Sequence, residues 1–356
     1  MSLAEHASRR RKPLRLLLVS TILLPVIVVL AVLAFAWPAS RLAPRDLPLG
    51  VVESGPASAS LVLALDQAES GAFTVTLYGS DTAARQAIEN RAVYGALEPA
   101  DGRLTVLTAS AASPMVAQLI TQVADTIAEK SSVHGTKLTV ASSDVVPTAA
   151  KDPRGLVLSS AMLPLTMCSL VVAAAIALLV ALRPAWRQIA ALAVVCSLTA
   201  LAAYAMTQGY LGALPGQHLE TLATLALMMF AMSSSVAGLI ALIGPAGMAL
   251  GSVMLVIVGN PFSGVTSAPE LLPRAVSEIG QLLPPGAGAS LLRNTAYFDG
   301  HGPALHLVVL IAWSVFGIVA IAAGHHSYVG YAARRHASWE SLEVHSEHRV
   351  SQLEKI

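Results

Sequence analysis

Between Leu156 and Gly330 the chain runs for 175 residues with eight charged side chains, and each of the eight falls between apolar stretches. They are Arg183, Arg187, Glu220, Glu270, Arg274, Glu278, Arg293 and Asp299. A water-soluble fold of that length needs a polar shell, and an average domain draws about a quarter of its residues from the charged types. Here charged residues make up 12% of the chain and hydrophobic ones 55%. The pattern excludes a disordered chain and argues against an ordinary soluble enzyme. It is the pattern of helices that cross a bilayer.

A hydrocarbon layer about 30 Å thick needs roughly 20 apolar residues per helix. Six runs are candidates: about Leu14–Trp37, Leu156–Leu182, Gln188–Tyr210, Leu219–Ile243, a short run from Gly247 to Asn260-Pro261, and Leu305–Ala323. The fifth is short, so irregular buried backbone is expected to complete it. The first follows Arg9-Arg-Arg-Lys12 and precedes the small residues Ala34-Phe-Ala36, as a signal peptide would. Its apolar stretch of about 24 residues exceeds the usual signal core of about 7–15, so an uncleaved anchor is expected.

Residues 38–155 differ in kind, with nine basic and twelve acidic side chains. Strand-like and helix-like stretches alternate there. Strands are expected at 49–53, 73–77, 93–97, 104–108 and 138–141, with Asp101-Gly102 as a turn. Helices are expected at 59–68, from the Ser80 or Asp81 cap to Asn90, and from Ser113-Pro114 to Glu129. The fold class expected is an α-helical polytopic membrane protein of six transmembrane helices with an inserted small α/β extracytoplasmic domain. Its parts are a cytoplasmic N-terminus over 1–13, the first helix over 14–37, the α/β domain over 38–155, helices two to six over 156–324 and a cytoplasmic tail over 325–356. The positive-inside rule sets the orientation. The basic N-terminus, Arg183 and Arg187, and Arg334 and Arg335 mark the cytoplasmic side. That location is a plasma membrane with both chain ends inside. Trp37, Trp186 and Trp339 stand near span ends as interface anchors, while Trp313 falls mid-span as packing.

No catalytic constellation emerges, so no enzyme is expected. There is no Gly-x-x-x-x-Gly-Lys-Ser/Thr loop for ATP, and Gly286-Ala-Gly-Ala-Ser290 lacks nucleophile-elbow spacing. Pro261-Phe-Ser-Gly264 departs from an intramembrane serine-protease pattern at its opening residue. Cys168 and Cys196 have no histidine partners at zinc spacing, and a net charge of +1 gives nucleic acid no footprint. Neither cofactor nor metal is expected. No charge falls within the middle of a span, against the needs of an ion-coupled transporter.

Four segments resemble the ABC type-2 permeases, and among them the phage-infection-protein group. They are Asp46-Leu-Pro-Leu-Gly-Val-Val-Glu53; Tyr78-Gly-Ser-Asp-Thr-Ala-Ala-Arg-Gln-Ala-Ile-Glu89 with Val93-Tyr-Gly-Ala-Leu97; Asp144-Val-Val-Pro147 with Asp152-Pro-Arg-Gly155; and Leu282-Leu-Pro-Pro-Gly-Ala-Gly-Ala-Ser-Leu-Leu-Arg293 with Tyr297-Phe-Asp-Gly300. The resemblance implies a permease that works with a separate ATP-binding subunit, as a homo- or heterodimer, exporting an apolar or amphipathic cargo. The phage-infection-protein group often carries a much larger exported domain, so a receptor role is not carried over. The competing expectation is a membrane scaffold or receptor whose exported domain binds a cell-surface partner.

Two candidate sites follow. The turn containing Arg183, Trp186 and Arg187 is either an ATPase-coupling element or an ordinary interface anchor. Asn260, Pro261, Pro284, Pro285 and Arg293 mark an outer segment over 259–304, read either as a broken, re-entrant gate or as two interfacial helices. Arg293 is expected to pair with an acid or to reach headgroups. Thr166, Ser197, Thr199, Thr207, Gln208 and Ser233 to Ser235 either line a path or bond helices together.

Overall fold

A computed structural model describes residue 21 and residues 25–100, 102–133, 138–180 and 183–324. The tail expected to be cytoplasmic, with Trp339, and most of residues 1–24 lie outside the described residues.

The apolar helix α1 (Pro25–Ala39) leads into the α/β lobe. The lobe runs β1 (Leu47–Val52), α2 (Pro56–Ala68), β2 (Phe73–Tyr78), α3 (Asp81–Glu89), β3 (Gly95–Ala100), β4 (Arg103–Thr108), α4 (Pro114–Val133) and β5 (Thr139–Asp144). The sheet order is β2-β1-β3-β4-β5. β1 pairs in parallel with β2 and β3, β3 and β4 form an antiparallel hairpin, and β5 runs parallel to β4. From β1 the chain steps outward to β2 and then back past β1 to β3. Right-handed crossovers therefore put α2 and α3 on opposite faces of the sheet, and α4 packs beside α2. Being central and covered on both faces, β1 buries Leu47, Leu49, Val51 and Val52, a continuous apolar strand. Ser80 caps α3 by accepting from the Ala83 amide at 3.2 Å, and Pro114 opens α4, where its missing N–H costs no helical bond.

Among the described residues five helices are long and apolar enough to cross a membrane. They are α5 (Leu156–Leu179), α6 (Ala185–Tyr210, π-helical over Ala205–Tyr210), α7 (His218–Ile243), α8 (Pro245–Phe262, π-helical over Val253–Gly259) and, after two shorter helices, α11 (Leu305–Gly324). The chain is a polytopic membrane protein with a small α/β region. The first of the six expected spans, about Leu14–Trp37, overlaps α1, whose described part is 15 residues long as Pro25–Ala39. Between α8 and α11 lie a 3-10 turn (Pro269–Leu271), α9 (Arg274–Leu282) and α10 (Pro284–Tyr297).

At the centre of the bundle stands α7. Met228, Met229, Met232 and Ser233 to Ala237 are fully buried against α5, α6, α8 and α10. Opposite faces of the outer helices expose Val171, Leu178, Val194, Leu198, Val315 and Val319. Such apolar exposure along long helices is what hydrocarbon solvates and water does not. Asp152 starts α5 by accepting the Leu156 and Val157 amides, each at 2.9 Å. These are two of the four donors a helix start leaves unpaired.

Candidate functional site

The segment over 259–304, called the outer segment from its expected position, is folded tightly onto itself by residues that lack side-chain bulk. α8 continues through Asn260 and Pro261 to Phe262, two residues beyond the break expected there. Pro261 has no N–H to return to the preceding turn. The π-helical turn absorbs the mismatch, and Asn260 Nδ2 donates to the Leu255 carbonyl at 3.2 Å. A Cβ placed on Gly259 would stand 2.8 Å from the Pro285 ring. A Cβ on Gly280 would collide with the Phe262 carbonyl, and one on Gly286 with the Gly280 carbonyl. Asn260, Pro261, Pro284 and Pro285 therefore border one junction. Gln281 ties it further, donating to the Ser263 carbonyl at 2.8 Å and accepting from Ser290 Oγ at 2.8 Å.

α9 is amphipathic, as expected, with Val276 and Gly280 inward and Arg274 and Glu278 outward. α10 departs from the expectation of a second amphipathic piece. Twelve of its 14 residues are buried, Pro284 to Ser290 and Leu292 to Ala296. Its small residues allow this, since Gly288 packs directly against Met228 of α7. The α9–α10 break also sits beside the long helix α11. Trp313 Nε1 donates to the Leu282 carbonyl at 2.8 Å. Trp313 lies eight residues beyond Leu305, or about 12 Å along the axis at about 1.5 Å per residue.

Arg293 does not form the acid pair expected of it, and at 5% exposure it does not reach out to headgroups. Its Nη2 donates to the Val265 carbonyl at 3.0 Å, and no carboxylate lies within ion-pair distance among the described residues. Burial and the neighbouring Arg91 cation pull its pKa down to about 10. Tyr297 on the same helix is pushed up to about 12, by burial first and then by the Asp152 charge.

The lobe is clamped to this segment by contacts that sequence reasoning did not find. Ala43 N and Arg45 Nη1 donate to the Leu271 carbonyl at 3.0 and 2.7 Å, and Arg45 N donates to the Glu270 carbonyl at 3.1 Å. Tyr94 Oη donates to Glu270 Oε2 at 2.7 Å. Burial, and next the Glu270 charge, hold the Tyr94 hydroxyl far above its ordinary pKa. Arg91 bonds Asn294 Oδ1 and the Ser290 carbonyl and lies over the Phe298 ring. Arg274 pairs with Asp46. Ala268, Leu271 and Phe298 enter the lobe's own hydrophobic core. The sequence clues were the charged residues of an otherwise apolar outer segment, Glu270 and Arg274, and the run Arg91 to Tyr94. The pairings themselves span about 200 residues, beyond the reach of local pattern.

At the far end of α5, about 36 Å from the lobe for 24 residues, the turn to α6 carries Arg183, Trp186 and Arg187. All three are exposed, Trp186 by 64%, with the Arg187 guanidinium 5.3 Å from the Trp186 ring centre. The polar residues within the spans are partly consumed by helix contacts. Ser233 Oγ donates to the Ser169 carbonyl of α5 at 3.1 Å, and Ser235 Oγ to the Trp313 carbonyl of α11 at 3.1 Å. Ser197 is exposed on the outside of the bundle. Between α5 and α6 lies a cavity of about 310 Å³ lined mainly by apolar side chains, with Thr199 and Thr207 in its wall donating to the Val195 and Ala203 carbonyls of their own helix. Its floor is Leu158, Leu165, Leu214, Leu225 and Leu292, and its mouth is Pro164, Cys168, Ala202 and Met206. Among the described residues no cluster of three or more histidine, cysteine or acidic side chains could hold a metal.

Residues 15–323 match the family described as ABC-2 family transporter protein. No curated protein and no solved structure matches the chain.

Proposed function

Because the chain belongs to the ABC-2 family of transporter proteins, we propose that it is the membrane-spanning permease of an ABC exporter powered by a separate ATP-binding subunit. The observation that carries this reading is the separation of two surfaces by the length of α5. One end bears the lobe fused to the 263–300 segment, and the other bears an exposed turn with two arginines and a tryptophan. In this reading α1 is the first of six spans, the lobe is extracytoplasmic, and both termini are cytoplasmic in the plasma membrane. The Arg183–Arg187 turn bears on the ATPase. The α9–α10 pair is a re-entrant outer gate, supported by the Trp313–Leu282 bond well along α11 and by the burial of α10. An ATPase stroke delivered at the turn travels along α5 and α6 to α7 and α10, which pack directly on one another. Two copies, or one copy and a homologous chain, form the working permease. The apolar cavity between α5 and α6 supports an apolar or amphipathic cargo entering from the hydrocarbon.

The test is capture of the full chain from its native membranes in mild detergent. An ATPase subunit should co-purify, and the Arg183→Glu/Arg187→Glu variant should lose it while remaining monodisperse. Unchanged co-purification would remove the turn as the coupling element. Absence of any ATPase from the wild-type capture would remove the exporter reading. It would favour instead a scaffold or receptor acting through the lobe.

A further inference from the structure

Where the lobe meets the outer segment and the first turn of α11, a chamber of about 270 Å³ remains open. Arg91 and Tyr94 line it from the lobe, Glu270 and Ser277 from the outer segment, and His306 from α11. Its polar groups are unevenly matched. The Arg91 guanidinium uses Nη1 for both of its hydrogen bonds. Its Nε and Nη2 have no acceptor, and no carboxylate lies within ion-pair distance, among the described residues. The Glu270 carboxylate is engaged by the Tyr94 hydroxyl. His306 Nδ1 is buried, with the Pro303 carbonyl as the backbone group its imidazole interacts with. The Ser277 side chain has no partner among the described residues. A second cation, the buried Arg293, stands on α10 one turn from Ser290, a wall residue.

Arg91 also occupies a costly backbone position. It follows the end of α3 at φ 55°, the left-handed conformation that glycine fills most easily after a helix. An arginine held there, with free guanidinium donors turned to a cavity, is strain of the kind that accompanies a binding site. Arg91 in the wall and Arg293 behind it, set against the one engaged Glu270 carboxylate, leave the chamber net positive, and the His306 imidazole adds a ring nitrogen without a counted charge. Half-buried donors without acceptors, on and beside a cation, favour an anion. The planar guanidinium fork matches phosphate oxygens, and the size suits a headgroup more than a drug-sized molecule.

We propose that this chamber binds a phosphate group, supplied by a lipid headgroup or by free phosphate, through the Arg91 guanidinium with Ser277 and His306. The site lies beside Leu305, where α11 begins and headgroups meet the protein. Its occupancy depends on the chamber's own groups and not on transport, so loss of transport would leave it standing.

The test is thermal unfolding of the full chain in neutral detergent micelles. One arm exchanges chloride for inorganic phosphate at fixed ionic strength. The other dopes the micelles with phosphatidylglycerol or phosphatidylcholine. A rise in unfolding temperature with inorganic phosphate identifies a free-anion site, and a rise with phospholipid alone identifies a headgroup site. Arg91→Lys, and separately the Ser277→Ala/His306→Ala pair, which leaves the lobe contacts in place, should each weaken the response. Loss of bonds to a charged group raises the ligand concentration needed by roughly tenfold or more. No response in either arm overturns the proposal. So does a response unchanged in both variants, because the ligand would then sit elsewhere.

Discussion

Replacing Tyr94 with phenylalanine removes one oxygen from the seam between lobe and outer segment, and the consequence can be worked through. Tyr94 is 8% exposed, so water does not readily replace its hydroxyl at Glu270 Oε2, 2.7 Å away. Losing a buried hydrogen bond to a charged group costs about 1.5–3 kcal/mol. The cost falls on the closed seam, because an open seam lets water solvate Glu270. Local opening should become easier by that amount, which is about ten- to hundredfold in the opening constant at about 1.4 kcal/mol per decade. The Arg45 amide, bonded to the Glu270 carbonyl, reports it directly. Hydrogen exchange read by mass spectrometry on peptides covering residues 41–47 and 268–274 should accelerate by that factor. Peptides from β4 and β5 should be unaffected. Exchange at the seam within threefold of wild type would refute the argument that this bond closes the lobe onto the segment. The pH dependence is fixed in sign. The folded-state pKa of Tyr94 is raised, so its contribution is fully present below the ordinary tyrosine value of about 10. As pH rises past that value the unfolded chain loses the proton and the folded one keeps it, so stability falls. The Tyr94→Phe difference should therefore be flat from pH 6 to 9, and the seam should weaken in wild type above about pH 10.

Three further outcomes follow from the same contacts. Asp152→Ala should cost about 1–3 kcal/mol by leaving the Leu156 and Val157 amides without their carboxylate, read as a lower unfolding temperature in detergent, with Asp152→Asn recovering part. Gly280→Ala should cost about 1–3 kcal/mol by overpacking, because its methyl group meets the Phe262 carbonyl; gel filtration would register a broadened or aggregated peak, and Gly79→Ala, with open space around it and no left-handed backbone, serves as the control for a glycine change elsewhere. Ser235→Ala should cost only about 0.6 kcal/mol, the average found for interhelical hydrogen bonds in a membrane, and a change in unfolding temperature beyond a few degrees would contradict a purely interhelical role.

Local chemistry made much of this fold legible. The period-two strands, the Ser80 cap, the Asp101-Gly102 turn and Pro114 at a helix start located the lobe's elements to within a few residues. Hydrocarbon solvation located the long helices, since charges can sit only in their gaps. The fifth span read as short because Asn260-Pro261 looked like a stop. A π-helical turn and the Asn260 side chain carry the helix past it. For α10 the sequence left two alternatives, a broken re-entrant piece and an interfacial helix, for a related reason. Proline, glycine and one arginine suit either, while small residues let the helix press into the bundle, and the carbonyl of Val265 takes up Arg293. The seam of Arg45, Arg91, Tyr94, Glu270 and Asn294 could not be read at all. Its partners lie far apart in the chain, and single polar residues announce no partner. The Arg183, Trp186 and Arg187 turn was plain in sequence because its charges interrupt two apolar runs.

The account stands on the lobe and the Arg183–Arg187 turn facing opposite sides of the membrane. Single cysteines introduced at Ser70 and at Trp186, in a background with Cys168 and Cys196 replaced, can be labelled in intact cells with a membrane-impermeant maleimide. The account predicts labelling at position 70 from outside and at position 186 only after the membrane is opened. Labelling of both positions from outside, or of neither until lysis, would contradict it.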